Sequence, residues 1–162
     1  PIYHHPLPEG HRFPMEKYSL LPQQLLYEGT CLESNFFRPG LLSEEQILRT
    51  HTSDYWMKLK GLKLSRAEER RTGFPLSAQL VERERCINQG TIETALFAQK
   101  YGVSLNIAGG THHAFTNHGE GFCLLNDIAI AAHYLLDHGL AKRILVVDLD
   151  VHPGNGTAEI MK

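Results

Sequence analysis

Two short stretches in the second half of the chain carry residue types that could do hydrolytic chemistry. Asp148-Leu149-Asp150-Val151-His152 follows the apolar run Ile144-Leu145-Val146-Val147. In an extended segment successive side chains alternate, so positions 148, 150 and 152 fall on one side. Two carboxylates and an imidazole grouped there are costly to bury unless a cation compensates them. Asp150 and His152 offer an oxygen and a nitrogen donor of the kind that suits Zn²⁺ or a similar transition metal. A strand end with solvated polar residues is the blander alternative. The pattern alone is moderate, because many α/β enzymes end a strand in acidic residues.

The second stretch is His112-His113, directly after Gly109-Gly110-Thr111. Adjacent histidines in a loop are ordinarily just exposed. Two glycines before them imply a tight backbone path beside something closely packed. An imidazole paired with a carboxylate is held in one tautomer with its cationic form stabilised, as a general base beside a metal requires. The other seven histidines, His4, His5, His11, His51, His118, His133 and His138, are scattered and read as exposed or structural.

These groups need elements to position them. Residues 103–108 read as a short strand and 124–138 as a helix stopped by Gly139. Residues 143–148 read as a buried strand. That order is a βαβ unit, with parallel strands and a right-handed crossover. Open α/β sheets place their chemistry outside the carboxyl ends of the strands, where both histidine-bearing stretches would sit. Earlier in the chain, helices are expected over 22–29, over 43–48 with Ser43 as cap, and over 55–62. Residues 63–75 read as a polar loop, and 77–86 and 91–99 as two helical pieces around Gly90. Residues 1–18 read as an extended arm lying on the body rather than a core element.

The 162 residues, 42% hydrophobic and 21% charged, suffice for one domain with a sizeable core. A net charge of −2 gives no basic surplus of the kind that marks a nucleic-acid partner. The locally basic run from Lys58 to Arg71 is interrupted by Glu68 and Glu69 and reads as a solvated face. No apolar run approaches the roughly 18 residues of a membrane span. The three cysteines, Cys31, Cys86 and Cys123, are far apart and form no CxxC pair. A reducing, cytoplasmic setting is therefore expected, with no disulfide framework.

Gly109-Gly110-Thr111-His112-His113-Ala114, then Gly121-Phe122-Cys123-Leu124-Leu125-Asn126-Asp127, then Asp148-Leu149-Asp150-Val151-His152 resemble, in order and spacing, the histone deacetylase and acetoin-utilisation-type deacetylase superfamily. Weaker similarity runs back through Gly90-Thr91 and His51-Thr52-Ser53-Asp54-Tyr55. The details look most like the class IV enzyme and its bacterial relatives. The resemblance implies an arginase/deacetylase-like three-layer α/β fold, with a mostly parallel sheet flanked by helices. It implies that Asp150 and His152 are two of three protein ligands to Zn²⁺ (Fe²⁺ being the alternative in the cell). His112 and His113 would be the tandem proton-handling histidines, with His113 as general base and Asp148 paired to His112. A structural K⁺ site at the same strand end is a further implication. Gly121 and Phe122 would wall the channel that takes the acyl-lysine stem.

Two positions depart from many class I members. Pro153 stands where they carry a second histidine, and Asn155 where they carry an aspartate facing the second tandem histidine. An amide stabilises an imidazolium less than a carboxylate does, so His113 is expected to be a somewhat weaker base. The family's third zinc ligand and its carbonyl-polarising tyrosine lie beyond this motif. Residues 1–162 are therefore expected to be the N-terminal portion of one catalytic domain, inactive alone and prone to self-association. The expected substrate is an acetylated lysine in a protein or peptide, or a small N-acetyl amine such as an acetylpolyamine. A non-catalytic binding module on the same fold is the alternative from another class. An arginase-like two-metal hydrolase is disfavoured by the tandem histidine after Gly109-Gly110.

Overall fold

The computed structural model describes residues 2–162. Seven α-helices form among these residues: α1 (Lys17–Tyr27), α2 (Glu44–Leu48), α3 (Ser53–Lys60), α4 (Arg66–Thr72), α5 (Ala78–Tyr101), α6 (Asp127–Asp137) and α7 (Asn155–Ile160). The long α5 lies along α6, while α2 and α3 pack near one end and α7 touches α6. The core between them holds Leu42, Ile47, Trp56, Leu59, Phe74, Leu80, Ile92, Leu124, Leu125 and Ile130.

Caps set most boundaries. Ser43 accepts a hydrogen bond from Gln46 N at the start of α2, and Asn126 does the same for Ala129 N at the start of α6. The Asn126 cap is why α6 begins at Asp127 and not at 124 as its apolar run implies. Residues 63–75 are not the expected loop, because α4 occupies most of them. Its signal is a capping box: Glu68 N donates to Ser65 Oγ at 3.3 Å and Ser65 N to Glu68 Oε2 at 2.7 Å. The two expected helical pieces around Gly90 are one continuous helix. Gly90 is there because a β-carbon would stand 2.9 Å from Tyr3 Oη and 3.1 Å from Asn106 Nδ2, so the arm and the next loop close on bare backbone. The arm itself is a core element, contrary to expectation. Tyr3, Met15 and Tyr18 are buried with Ile87 and Ala108 in a second cluster. The first helix begins five residues before Pro22, in a turn where Leu20 N already donates to Glu16 O.

The expected strands are the main difference. Residues 103–108 and 143–148 run without regular structure, and no backbone ladder joins them among the described residues. A strand is defined by its ladder, and apolar β-propensity cannot supply a partner. The apolar side chains Leu105, Leu145 and Val147 are 80%, 86% and 66% exposed. Among the described residues the one β-pairing is an isolated antiparallel bridge elsewhere, between Glu120 and Cys123. The βαβ unit is thus present as order and helix, without a sheet.

Candidate active site

The loop after residue 108 is built around a buried carboxylate. Asp127, at the start of α6, accepts from Gly110 N (3.1 Å), Thr111 N (2.7 Å), Thr111 Oγ1 (2.6 Å) and Thr91 Oγ1 (2.6 Å). Four donors explain how a carboxylate tolerates 1% exposure. They also explain the glycines. A β-carbon at Gly109 would lie 2.7 Å from Asp127 Oδ2, and Gly110 has a φ of +85°. The backbone must pass this close for its N–H groups to reach the carboxylate.

A second layer holds the other side of the histidine loop. His51 Nδ1 lies 3.0 Å from Phe115 O, and Asn126 N donates to His51 Nε2 at 3.0 Å. A carbonyl only accepts and an N–H only donates, so His51 is the neutral Nδ1–H tautomer. Burial pushes its pKa down to about 4. Asn126 Nδ2 donates to Ala114 O and to Thr157 Oγ1, and Thr157 N donates to His112 O. Thus the turn before α3, the N-cap of α6 and α7 itself are all tied to residues 112–115. Gly156 lets α7 approach, since a β-carbon there would collide with the Ala114 carbonyl.

The resulting site joins the two stretches singled out in the sequence. His112 is buried, and its Nδ1 lies 2.6 Å from Asp148 Oδ2. That bond, with a second from Asp150 N at 3.0 Å to Asp148 Oδ1, holds the Asp148 carboxyl below its ordinary range. His113, half-buried, places Nδ1 2.7 Å from Asn155 Oδ1. Gly156 N also donates to that oxygen at 3.0 Å, which fixes which end of the amide faces the ring. His113 therefore donates from Nδ1 and keeps a free lone pair at Nε2. The two tandem rings lie 4.0 Å apart, and His113 and His152 are 5.9 Å apart.

Asp150 and His152 are exposed and bonded to each other, His152 Nδ1 and N lying 2.9 and 2.7 Å from Asp150 Oδ1. Those bonds, the backbone one first, lower the Asp150 pKa. The donor set fits a cation. Bonds of about 2.0–2.2 Å to each atom would set them roughly 3 Å apart or slightly more. No group of three or more metal-binding side chains occurs among the described residues, and Asp148 is turned to His112.

Gly121 borders His113, where a β-carbon would lie 2.8 Å from Cδ2, and its φ is +54°. Phe122 also has a positive φ, +66°, a conformation costly for a residue with a β-carbon. It is held by Phe122 N donating to Thr72 O at 2.7 Å and Gly121 N to Arg71 O at 3.1 Å. Its ring packs against Phe13 and Phe74, both centroids at 5.1 Å. A cleft of 680 Å³ between α2 and α6 lies elsewhere, lined by residues such as Arg49, His133 and Asp137. The structure brings His112, His113, Asp148, Asp150, His152 and Asn155 together, with Gly121 against the His113 ring and Phe122 on the adjoining aromatic cluster. His51, Asn126 and Asp127 fall inside the resembling segments but carry no expected role, and Thr157 is not marked by the sequence at all; the cap pattern before α6 is the one local signal for Asn126.

The site and the helical frame around it define a class that comparison makes specific. Residues 11–162 match the histone deacetylase domain, and the chain belongs to that family. It is 45% identical over its whole length to an uncharacterized protein of Picosynechococcus sp., covering 54% of that protein. It is 30% identical to histone deacetylase 2 of Arabidopsis thaliana, over 90% of this chain and 39% of that one. The crystal structure of a histone deacetylase homologue from Aquifex aeolicus superposes with a TM-score of 0.77 at 27% identity. That match covers 98% of this chain and 44% of the homologue. A homologue complexed with SAHA gives 0.78 at 28% identity. The chain spans about half the length, or less, of these relatives.

Proposed function

We propose that this chain supplies the proton-handling groups and two metal ligands of a metal-dependent deacetylase. The enzyme would remove acetyl or related acyl groups from lysine side chains or small N-acetyl amines. The carrying observation is His113, whose Nδ1 is committed to Asn155 Oδ1 while Nε2 stays free. A zinc ion held by Asp150 and His152, with a further donor from elsewhere in the complete protein, would supply Lewis acidity toward the acyl carbonyl and water. Ferrous iron suits the same donors.

His113 Nε2 takes the proton of the water that adds to the acyl carbon. Asn155 accepts from Nδ1–H throughout and keeps the ring oriented. His112, beside it, is held by Asp148, whose carboxylate stabilises positive charge on the pair. The proton then passes to the amine nitrogen as the C–N bond breaks, giving a carboxylic acid and an amine, which leave as carboxylate and ammonium once the acid proton moves to the amine. Gly121, without a side chain, keeps the approach to His113 open, and Phe122 offers an aromatic wall to a four-carbon stem. Extended segments 103–108 and 143–148 would be strands of a parallel sheet in the complete enzyme.

The test is hydrolysis of an acetyl-lysine peptide by the complete gene product, with chelator and zinc-restoration controls. Zinc-dependent acetate release is expected. A folded, zinc-loaded protein that releases none would sink the reading in favour of a non-catalytic module.

A further inference from the structure

Residues 11–13 of the arm cross the rim of the loop that carries Gly121 and Phe122. His11 Nε2 lies 2.9 Å from Gly73 O, and the Phe13 ring packs 4.9 Å from Phe74. Between these anchors Arg12 is exposed, with its guanidinium carbon 4.8 Å above the Phe122 ring centroid. A guanidinium stacked on an aromatic face keeps its in-plane N–H donors free. Arg71, also exposed, adjoins the other side of the loop through the bond from Gly121 N to its carbonyl. Among the described residues neither arginine forms an ion pair. Nearby carboxylates are turned elsewhere: Glu69 accepts from Leu76 N at 3.2 Å, and Glu120 lies 4.0 Å from His118.

We propose that Arg12, seconded by Arg71, is a specificity-determining residue that selects acyl-amines bearing a carboxylate beside the acylated stem. This rests on the deacetylase reading of the site. A free guanidinium fork recognises a carboxylate through two parallel N–H bonds, and Phe122 holds the fork at the rim. The carboxylate is either an Asp or Glu flanking an acyl-lysine in a protein, or the α-carboxylate of a free acyl-lysine.

The experiment measures kcat/KM of the zinc-loaded complete gene product on acetyl-lysine peptides differing only in an acidic, neutral or basic flanking residue. Free Nε-acetyl-lysine and its decarboxylated counterpart, N-acetylcadaverine, form a second arm. Acidic is expected to exceed neutral by about threefold to fivefold, as an exposed ion pair allows, with basic lowest and the spread shrinking in high salt. Arg12→Gln flattens the order and Arg12→Glu reverses it. Arg12→Lys, the variant least disturbing to the arm, keeps the order with a smaller ratio. Lys63→Gln, an exposed cation away from the rim, leaves the ratio as it is. An effect confined to peptides assigns a protein substrate, and one confined to the free amino acid a small molecule; either supports the proposal. Equal rates across each arm, or an order that survives Arg12→Gln, overturn it while leaving the deacetylase reading intact. Hydrolysis of no substrate overturns both.

Discussion

At the scale of single residues, the proposed function depends on which nitrogen of His113 is free. Because Gly156 N and His113 Nδ1 converge on Asn155 Oδ1, the Nε2 lone pair is the one available to a water. His113→Ala is therefore expected to lower kcat of the complete enzyme by about 10²–10⁴, the usual worth of a general base, with zinc retained. Full hydrolysis by the zinc-bound variant would remove His113 from that role. Gly121 gives a subtler test. Its positive φ and the 2.8 Å approach of a β-carbon to the His113 ring mean that Gly121→Ala must displace that ring. A large loss of kcat with only a small change in melting temperature is expected. Unaltered turnover would show that His113 has room to spare.

At the scale of elements, the site is the place where the turn before α3, the cap of α6 and α7 are tied to one loop through His51, Asn126 and Thr157. His51 is neutral in the fold, with its pKa lowered to about 4, whereas an unfolded histidine titrates near 6.5. The unfolded state therefore binds a proton that the folded state refuses, and stability falls as pH drops from about 6.5 toward 4. The full effect would be on the order of 3 kcal/mol. Glu84 works the other way. Burial raises its carboxyl above the usual range, against the opposing pull of Arg83, so its contribution grows as pH falls. Wild type must therefore be compared with His51→Gln in urea unfolding across this range. The stability difference between them is expected to shrink toward acid pH, and a constant difference would mean that His51 titrates normally. This role was not legible beforehand. His51 opens a segment of weak family similarity but otherwise reads as one scattered histidine among ten, and only the fold shows that both its nitrogens are engaged. The cap at Ser43 and the stop at Gly139 were legible, because caps are local chemistry. The capping box of α4 was equally local and was hidden by the polarity of its surroundings.

At the scale of the whole molecule, the sequence revealed which groups meet but not what they rest on. Asp148, Asp150 and His152 do converge on the tandem histidines, yet as a bent loop and not as the end of a strand. Apolar runs foretell burial, and burial needs a second surface that local pattern cannot name. Here Ile144–Val147 lies along a trough bordered by Ala95, Ile128, Ala131 and Leu135, while Leu145 and Val147 point largely to solvent. Leu105, Leu149 and Val151, at 80%, 91% and 91% exposed, extend the apolar surface along the same half of the chain. Backbone groups of 103–108 and 143–148 without a ladder add a template for pairing with another chain. Exposed apolar surface of this kind drives association, so the 162-residue polypeptide by itself is expected to self-associate and to bind a hydrophobic dye. The expected remedy is charge on the exposed face. Leu145→Lys with Val147→Lys should shift sedimentation toward the monomer and lower dye binding, since both side chains already face water. A wild-type chain that sediments as a monomer over the micromolar range would show instead that these side chains find cover within one molecule.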